Sequence, residues 1–150
     1  MKKLKVLSII LLMLFLITGC KQTEQKGNMM KLELNCDAEN GYLWQTTILN
    51  SNVIKSVGDE FLYKDQDNVL ETVQKITFKA LEAGSAEIEI KYINTSKEDK
   101  EKDYSIKYII EVDSDLNIKI LSKSGKFYED EIITPELYTD TNEESQSSKN

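Results

Sequence analysis

The chain has 150 residues, 40% hydrophobic and 30% charged, with six Gly and one Pro, the composition of a globular domain rather than of a collagen-like or disordered chain. Histidine is absent, which removes Ser-His-Asp and Cys-His nucleophilic catalysis, imidazole general-base chemistry and every His-containing zinc or iron site. All 19 basic residues are lysine, set against 26 Asp and Glu for a net charge of -7, so guanidinium forks are ruled out and no nucleic-acid partner is expected.

Met1 to Lys5 is basic, Val6 to Ile17 is apolar apart from Ser8, and Ile17-Thr18-Gly19-Cys20 follows. An apolar run of about a dozen residues is too short to span a hydrocarbon core of about 30 Å as a helix. Residues 1–20 therefore read as an export signal, and their end resembles the lipobox of bacterial lipoproteins. That resemblance implies diacylglycerol on the Cys20 thiol, cleavage before it, palmitate-type acylation and a lipid anchor on the extracytoplasmic face of the cell membrane. Two or more acyl chains, at about 0.8 kcal/mol per buried methylene, hold such an anchor stably. With Cys20 lipidated, Cys36 has no disulfide partner and is expected to be an inert core thiol.

Residues 21–29 are polar and aperiodic, as a flexible tether would be. Beyond them the dominant period is two. Met30, Leu32, Leu34 and Cys36 alternate inward; Asn40-Gly41 marks a tight turn; Leu43 to Leu49 surrounds Trp44. Short segments near Ile54 and Phe61 precede a strand from Val73 to Leu81 through Ile76 and Phe78, and Glu82-Ala83-Gly84 marks the next turn. Ala86, Ile88, Ile90 and Tyr92 line one face of the following strand. Asn94 to Asp103 is a charged, solvated loop, after which Tyr104, Ile106, Tyr108, Ile110 and Val112 alternate again. Six or seven half-buried strands without a helical period predict an all-β antiparallel sandwich over residues 30–113, with Trp44, Phe78, Ile88, Ile90 and Tyr108 in its core. Residues 114–139 form a C-terminal extension. There Asp113–Asp115 turns into Leu116–Leu121 and Ser122–Gly125 turns again toward Phe127 and Tyr128, as an added hairpin would, with Pro135–Tyr138 packing back. Residues 140–150, rich in Ser, Glu and Asn, read as a disordered tail.

Two acidic groups invite a calcium reading: Asp65, Asp67, Asn68 and Glu71, and Asp113, Asp115 and Asn117. A calcium loop counted from Asp113 needs Gly at its sixth place and Glu at its twelfth, where Ile118 and Ser124 stand. Both groups read as structural turns, and no metal or cofactor is expected. Paired carboxylates for glycoside hydrolysis need a cleft that so small a sandwich rarely supplies, so the chain is not expected to be an enzyme.

Asn40-Gly41-Tyr42-Leu43-Trp44-Gln45, then Ile76-Thr77-Phe78-Lys79-Ala80-Leu81-Glu82-Ala83-Gly84-Ser85-Ala86, then an Ile-rich strand ending at Tyr92, resemble the chagasin-type inhibitors of papain-like cysteine proteases over residues 28–113. The resemblance implies an immunoglobulin-like sandwich whose loops 37–42, 65–72 and 93–103 lie at one end and wedge into a protease cleft. The protease-binding residues it implies are Glu39, Asn40, Gly41, Tyr42, Glu71, Thr72, Asn94 and Thr95, with Tyr42 at the loop edge as a natural anchor. The loops depart most from the family: Asp37-Ala38-Glu39-Asn40-Gly41 stands where the family reads Asn-Pro-Thr-Thr-Gly. The alternative reading is a non-inhibitory immunoglobulin-like binding module of the cell envelope with diverged loops. Either way a monomer is expected.

Overall fold

The computed structural model describes residues 26–66, 69–95 and 103–140. Cys20 with its signal, residues 21–25 of the tether, Asp67 and Asn68, the charged run 96–102 and the tail 141–150 lie outside the described residues. Among those described, eight strands form two antiparallel sheets: β1 (Met29–Cys36), β2 (Tyr42–Leu49), β3 (Ile54–Gln66), β4 (Val69–Ala80), β5 (Gly84–Asn94), β6 (Ser105–Val112), β7 (Ile118–Lys126) and β8 (Glu136–Tyr138). One sheet has the order β3-β4-β1-β8 and the other β2-β5-β6-β7. The fold is an immunoglobulin-like β-sandwich.

Alternation builds the core. Met30, Leu32 and Leu34 of β1, Ile76, Phe78 and Ala80 of β4, Ile88 and Ile90 of β5, and Ile106, Tyr108 and Ile110 of β6 are all buried between the sheets. Burying one such side chain is worth about 1.5–3 kcal/mol for the larger ones. Trp44 joins them from β2.

Several expectations change in the structure. β1 and β2 do not pair, because β1 pairs with β4 and β2 with β5. Asn40-Gly41 is thus part of a crossing between sheets and not a hairpin turn. A two-residue hairpin of this type needs positive φ at both central residues, and here Gly41 alone has it, at 81°, closing the 3₁₀ turn Ala38–Asn40. Glu82–Gly84 likewise crosses from the first sheet to the second. The segments near Ile54 and Phe61 are one strand of 13 residues, paired with β4 throughout and bulged between Ser56 and Gly58. Glu71 and Thr72, read as loop, belong to β4 opposite Lys64 and Tyr63.

The turn expected at Ser122–Gly125 is absent, and β7 runs straight through it beside β6. Gly125 has φ 132°, and a Cβ there would run into the Ser105 carbonyl. Glycine here marks a close approach of two backbones, not a bend. The chain then returns along the side of the sandwich, and β8 pairs with the start of β1. Residues 114–139 therefore give one strand to each sheet. Both ends of the described chain are paired too: Gly27 O accepts from Ile118 N (2.9 Å), Asn28 O from Ala80 N (2.9 Å), and Asn28 Oδ1 from Asp140 N (2.9 Å).

Candidate functional site

The topology brings three links to one end of the sandwich. β1, β3 and β5 finish there, and β2, β4 and β6 begin there; the registers Cys36 with Thr72, Tyr63 with Thr72, and Tyr42 with Asn94 fix the level. The first link is tightly self-bonded. Asp37 O accepts from Asn40 N (3.1 Å) and Tyr42 N (2.9 Å), and Asn40 Nδ2 donates to both Asp37 carboxylate oxygens at 2.9 and 3.0 Å. The Gly41 carbonyl accepts from Thr95 N (2.9 Å) and Thr95 Oγ1 (3.1 Å), which ties the first link to the start of the third, and Asn94 Nδ2 reaches Asn40 O at 3.5 Å. A loop held this way gives up little conformational entropy on binding.

Glu39, Glu71 and Thr72 line one open hollow together with Asn35, Cys36 and Asp37, so the first link and β4 share a wall. β1 accompanies β4 only as far as the pair Cys36 and Thr72. Beyond that pair the β3–β4 ribbon stands alone, with Tyr63 at its base, 66% exposed. Burial pushes the Cys36 thiol up, which keeps it protonated and unreactive at neutral pH. Cys36 is half-buried at the loop end, rather than sealed in the core.

Behind the links lies a chain of aromatic rings. Tyr42 stacks on Tyr92 (5.5 Å between centroids, 19° between planes), Tyr92 meets Trp44 (4.8 Å) and Tyr104 (6.2 Å), Trp44 meets Phe127 (6.0 Å), and Tyr128 meets Phe127 (4.1 Å) and Tyr104 (6.0 Å). The Tyr92 hydroxyl accepts from Asp37 N at 3.1 Å, and burial pushes its pKa up to about 12. Trp44, of the second sheet, is held by the first: its Nε1 donates to Asn35 O (2.9 Å), its N–H donates to Gln74 Oε1 (2.7 Å), and its carbonyl accepts from Gln74 Nε2 (2.9 Å). Gln74 Nε2 also donates to Asp59 Oδ1 (2.8 Å). This buried amide joins the two sheets directly beneath the loops.

Sequence reasoning passed over Gln74, Tyr63, Tyr104, Phe127 and Tyr128 as site residues. Gln74 and Tyr63 lie within β4 and β3, Tyr104 just before β6, and Phe127 and Tyr128 just after β7, a placement visible only once the strand neighbours are known. The five residues expected in the core, Trp44, Phe78, Ile88, Ile90 and Tyr108, are all buried. Asp113 serves a turn, accepting from Asp115 N (2.9 Å) and Asn117 N (2.8 Å), bonds that lower its pKa, those from Asn117 foremost. Among the described residues no group of three or more Cys, Asp or Glu side chains is placed to hold a metal ion.

Comparison with known proteins adds the family. The family model described as "Chagasin family peptidase inhibitor I42" matches residues 23–110. The chain belongs to the chagasin family of peptidase inhibitors. No curated protein matches it. Among solved structures it is similar to the crystal structure of the cysteine protease inhibitor EhICP2 from Entamoeba histolytica, with 19% identity, 55% of this chain and 77% of that chain covered, and a TM-score of 0.49. The family match stops within β6, so β7, the Phe127–Tyr128 corner and β8 of this chagasin-family chain lie beyond it.

Proposed function

We propose that this chain inhibits papain-like cysteine proteases by setting its loop end into the substrate cleft, and that a lipid on Cys20 holds it at the outer face of the cell membrane. The observation that carries the reading, within a family of peptidase inhibitors, is the pre-set first link, whose Gly41 carbonyl is held by two bonds from Thr95. Rigid links fill the groove and cover the catalytic thiol without presenting a scissile peptide in attack geometry, so no bond is made or broken. Affinity comes from a few central anchors on a pre-organised backbone rather than from area. The loop residues for this role are Glu39, Asn40, Gly41, Tyr42, Glu71, Thr72, Asn94 and Thr95.

Inhibition of papain by loop variants tests the assignment. Proline is locked near a φ of about -65°, which Gly41 at 81° cannot accommodate. Gly41→Pro is therefore expected to weaken inhibition about tenfold or more, while Tyr42→Ala weakens it by removing the partner of Tyr92. Folded variants that inhibit like the parent would remove the first link from the interface. A folded parent chain that leaves papain untouched would favour the non-inhibitory binding module. Anchoring is checked separately, since Cys20→Ala should move the protein out of the detergent phase without altering its unfolding.

A further inference from the structure

The corner that follows β7 lies at the same end as the three links, yet belongs to the part of the chain beyond the family match. It is fixed on both sides. Lys123 Nζ donates to Ile132 O (2.7 Å) and Thr134 Oγ1 (2.9 Å) and pairs with Glu131 (3.3 Å), while Tyr108 Oη donates to Ile133 O (2.9 Å). β8 covers β1 only along Met29–Lys31, so the edge of β1 at Asn35 has no strand beside it. At that edge Trp44 Nε1 donates to Asn35 O, and the Tyr128 ring packs nearby against Phe127 (4.1 Å) and Tyr104 (6.0 Å). Tyr128 is held by these ring contacts and is still 40% exposed.

Tyr128 lines an open hollow of about 290 Å³ together with Tyr92, Tyr104, Cys36, Asn35 and Asp37. Three phenol rings and a carboxylate surround one space. Glu129 and Asp130, which follow Tyr128 in the chain, are exposed. Ring faces attract cations, and a carboxylate beside them selects for positive charge. The chain's own Lys126 ammonium lies 5.9 Å from the Tyr104 centroid, an internal instance of the same attraction.

We propose that this hollow is a socket for an arginine or lysine side chain on the rim of the bound protease's cleft, so that the inhibitor receives a residue from its target as well as inserting loops. The proposal rests on the inhibitor reading for its occupant and on the ring-and-carboxylate lining for its chemistry. An arginine stem would lie along the rings with its head toward the Asp37 side, and the neighbouring Glu129 and Asp130 favour the approach of a cation. Proteases lacking a basic side chain at that place are then bound more weakly, which makes Tyr128 a specificity-determining residue.

The test uses the full chain in mild detergent, with N-acetylarginine amide as probe and N-acetylleucine amide as control, followed through the tyrosine ring resonances. Saturable shifts at Tyr92, Tyr104 and Tyr128 with the arginine probe alone, lost in Tyr128→Leu and kept in Tyr128→Phe, are expected. Absence of saturation, or equal response to leucine, overturns the socket whatever the protease result. Tyr128→Phe lacks the hydroxyl but keeps the ring, so it separates the ring's part in binding from that of the hydroxyl. In papain inhibition Tyr128→Leu should weaken binding about tenfold and Tyr128→Phe much less. Equal inhibition by parent and Tyr128→Leu would overturn the protease as occupant. Arginine binding by a chain that inhibits no protease would instead refute the inhibitor reading and leave the socket standing.

Discussion

Gln74 occupies an inward position of β4, in line with Ile76 and Phe78, and spends both ends of its amide on neighbours from two other strands. Replacing it by leucine keeps the volume but leaves the Trp44 N–H and carbonyl buried without partners, a cost of about 2–4 kcal/mol. Chemical denaturation of Gln74→Leu should show that loss, whereas Lys75→Ala, which removes only the exposed pair with Glu60, should stay within about 0.5 kcal/mol of the parent. A period-two reading cannot find such a residue, because a polar side chain at an inward place looks like an error in the pattern. Val73, where the strand is expected to begin, lies on the opposite face from Gln74. Val73 is buried as well. Trp44, by contrast, was legible as core from its size and its place on a strand.

At the scale of elements, alternation identified β1, β5 and β6 because one face of each is wholly apolar. It concealed β3, whose Lys55, Asp59, Glu60 and Lys64 and whose bulge at Val57 interrupt the rhythm. Alternation also assigns faces and not neighbours, which is why Asn40-Gly41 and Glu82-Ala83-Gly84 read as turns between neighbouring strands rather than as crossings between sheets. Gly125 is the sharpest case of glycine misread as a turn. Gly125→Ala sets a methyl group against the Ser105 carbonyl at a positive φ and should destabilise by about 2 kcal/mol or more. Gly58→Ala meets only Thr77 at 3.5 Å and has no such strain, so its thermal midpoint should lie close to the parent's. If both variants unfolded alike, the close approach of β7 to β6 would be refuted.

For the molecule as a whole, buried phenols set the alkaline limit. Burial raises Tyr92 from 10.0 to about 12 and raises Tyr108 as well. The folded state then holds protons that the unfolded chain releases, so this stability is fully present below pH 10 and is lost as pH rises toward about 12. Urea midpoints measured from pH 8 to 12 should fall over that window, and Tyr92→Phe should flatten part of the decline. On the acid side, the hydrogen bond from Lys64 holds Glu33 below its ordinary range, a contribution present above the unfolded carboxyl value and lost as pH falls through the folded one. The sandwich and the gathering of three links were legible from strand count and family motif, whereas the fourth corner was not, because nothing in residues 127–134 announces its neighbours. The most direct test of the functional reading is residual papain activity on a small fluorogenic substrate as the full chain, in mild detergent, is added in increasing amount. A linear fall to a stoichiometric endpoint is the predicted result; undiminished activity at micromolar concentrations of folded protein would contradict it.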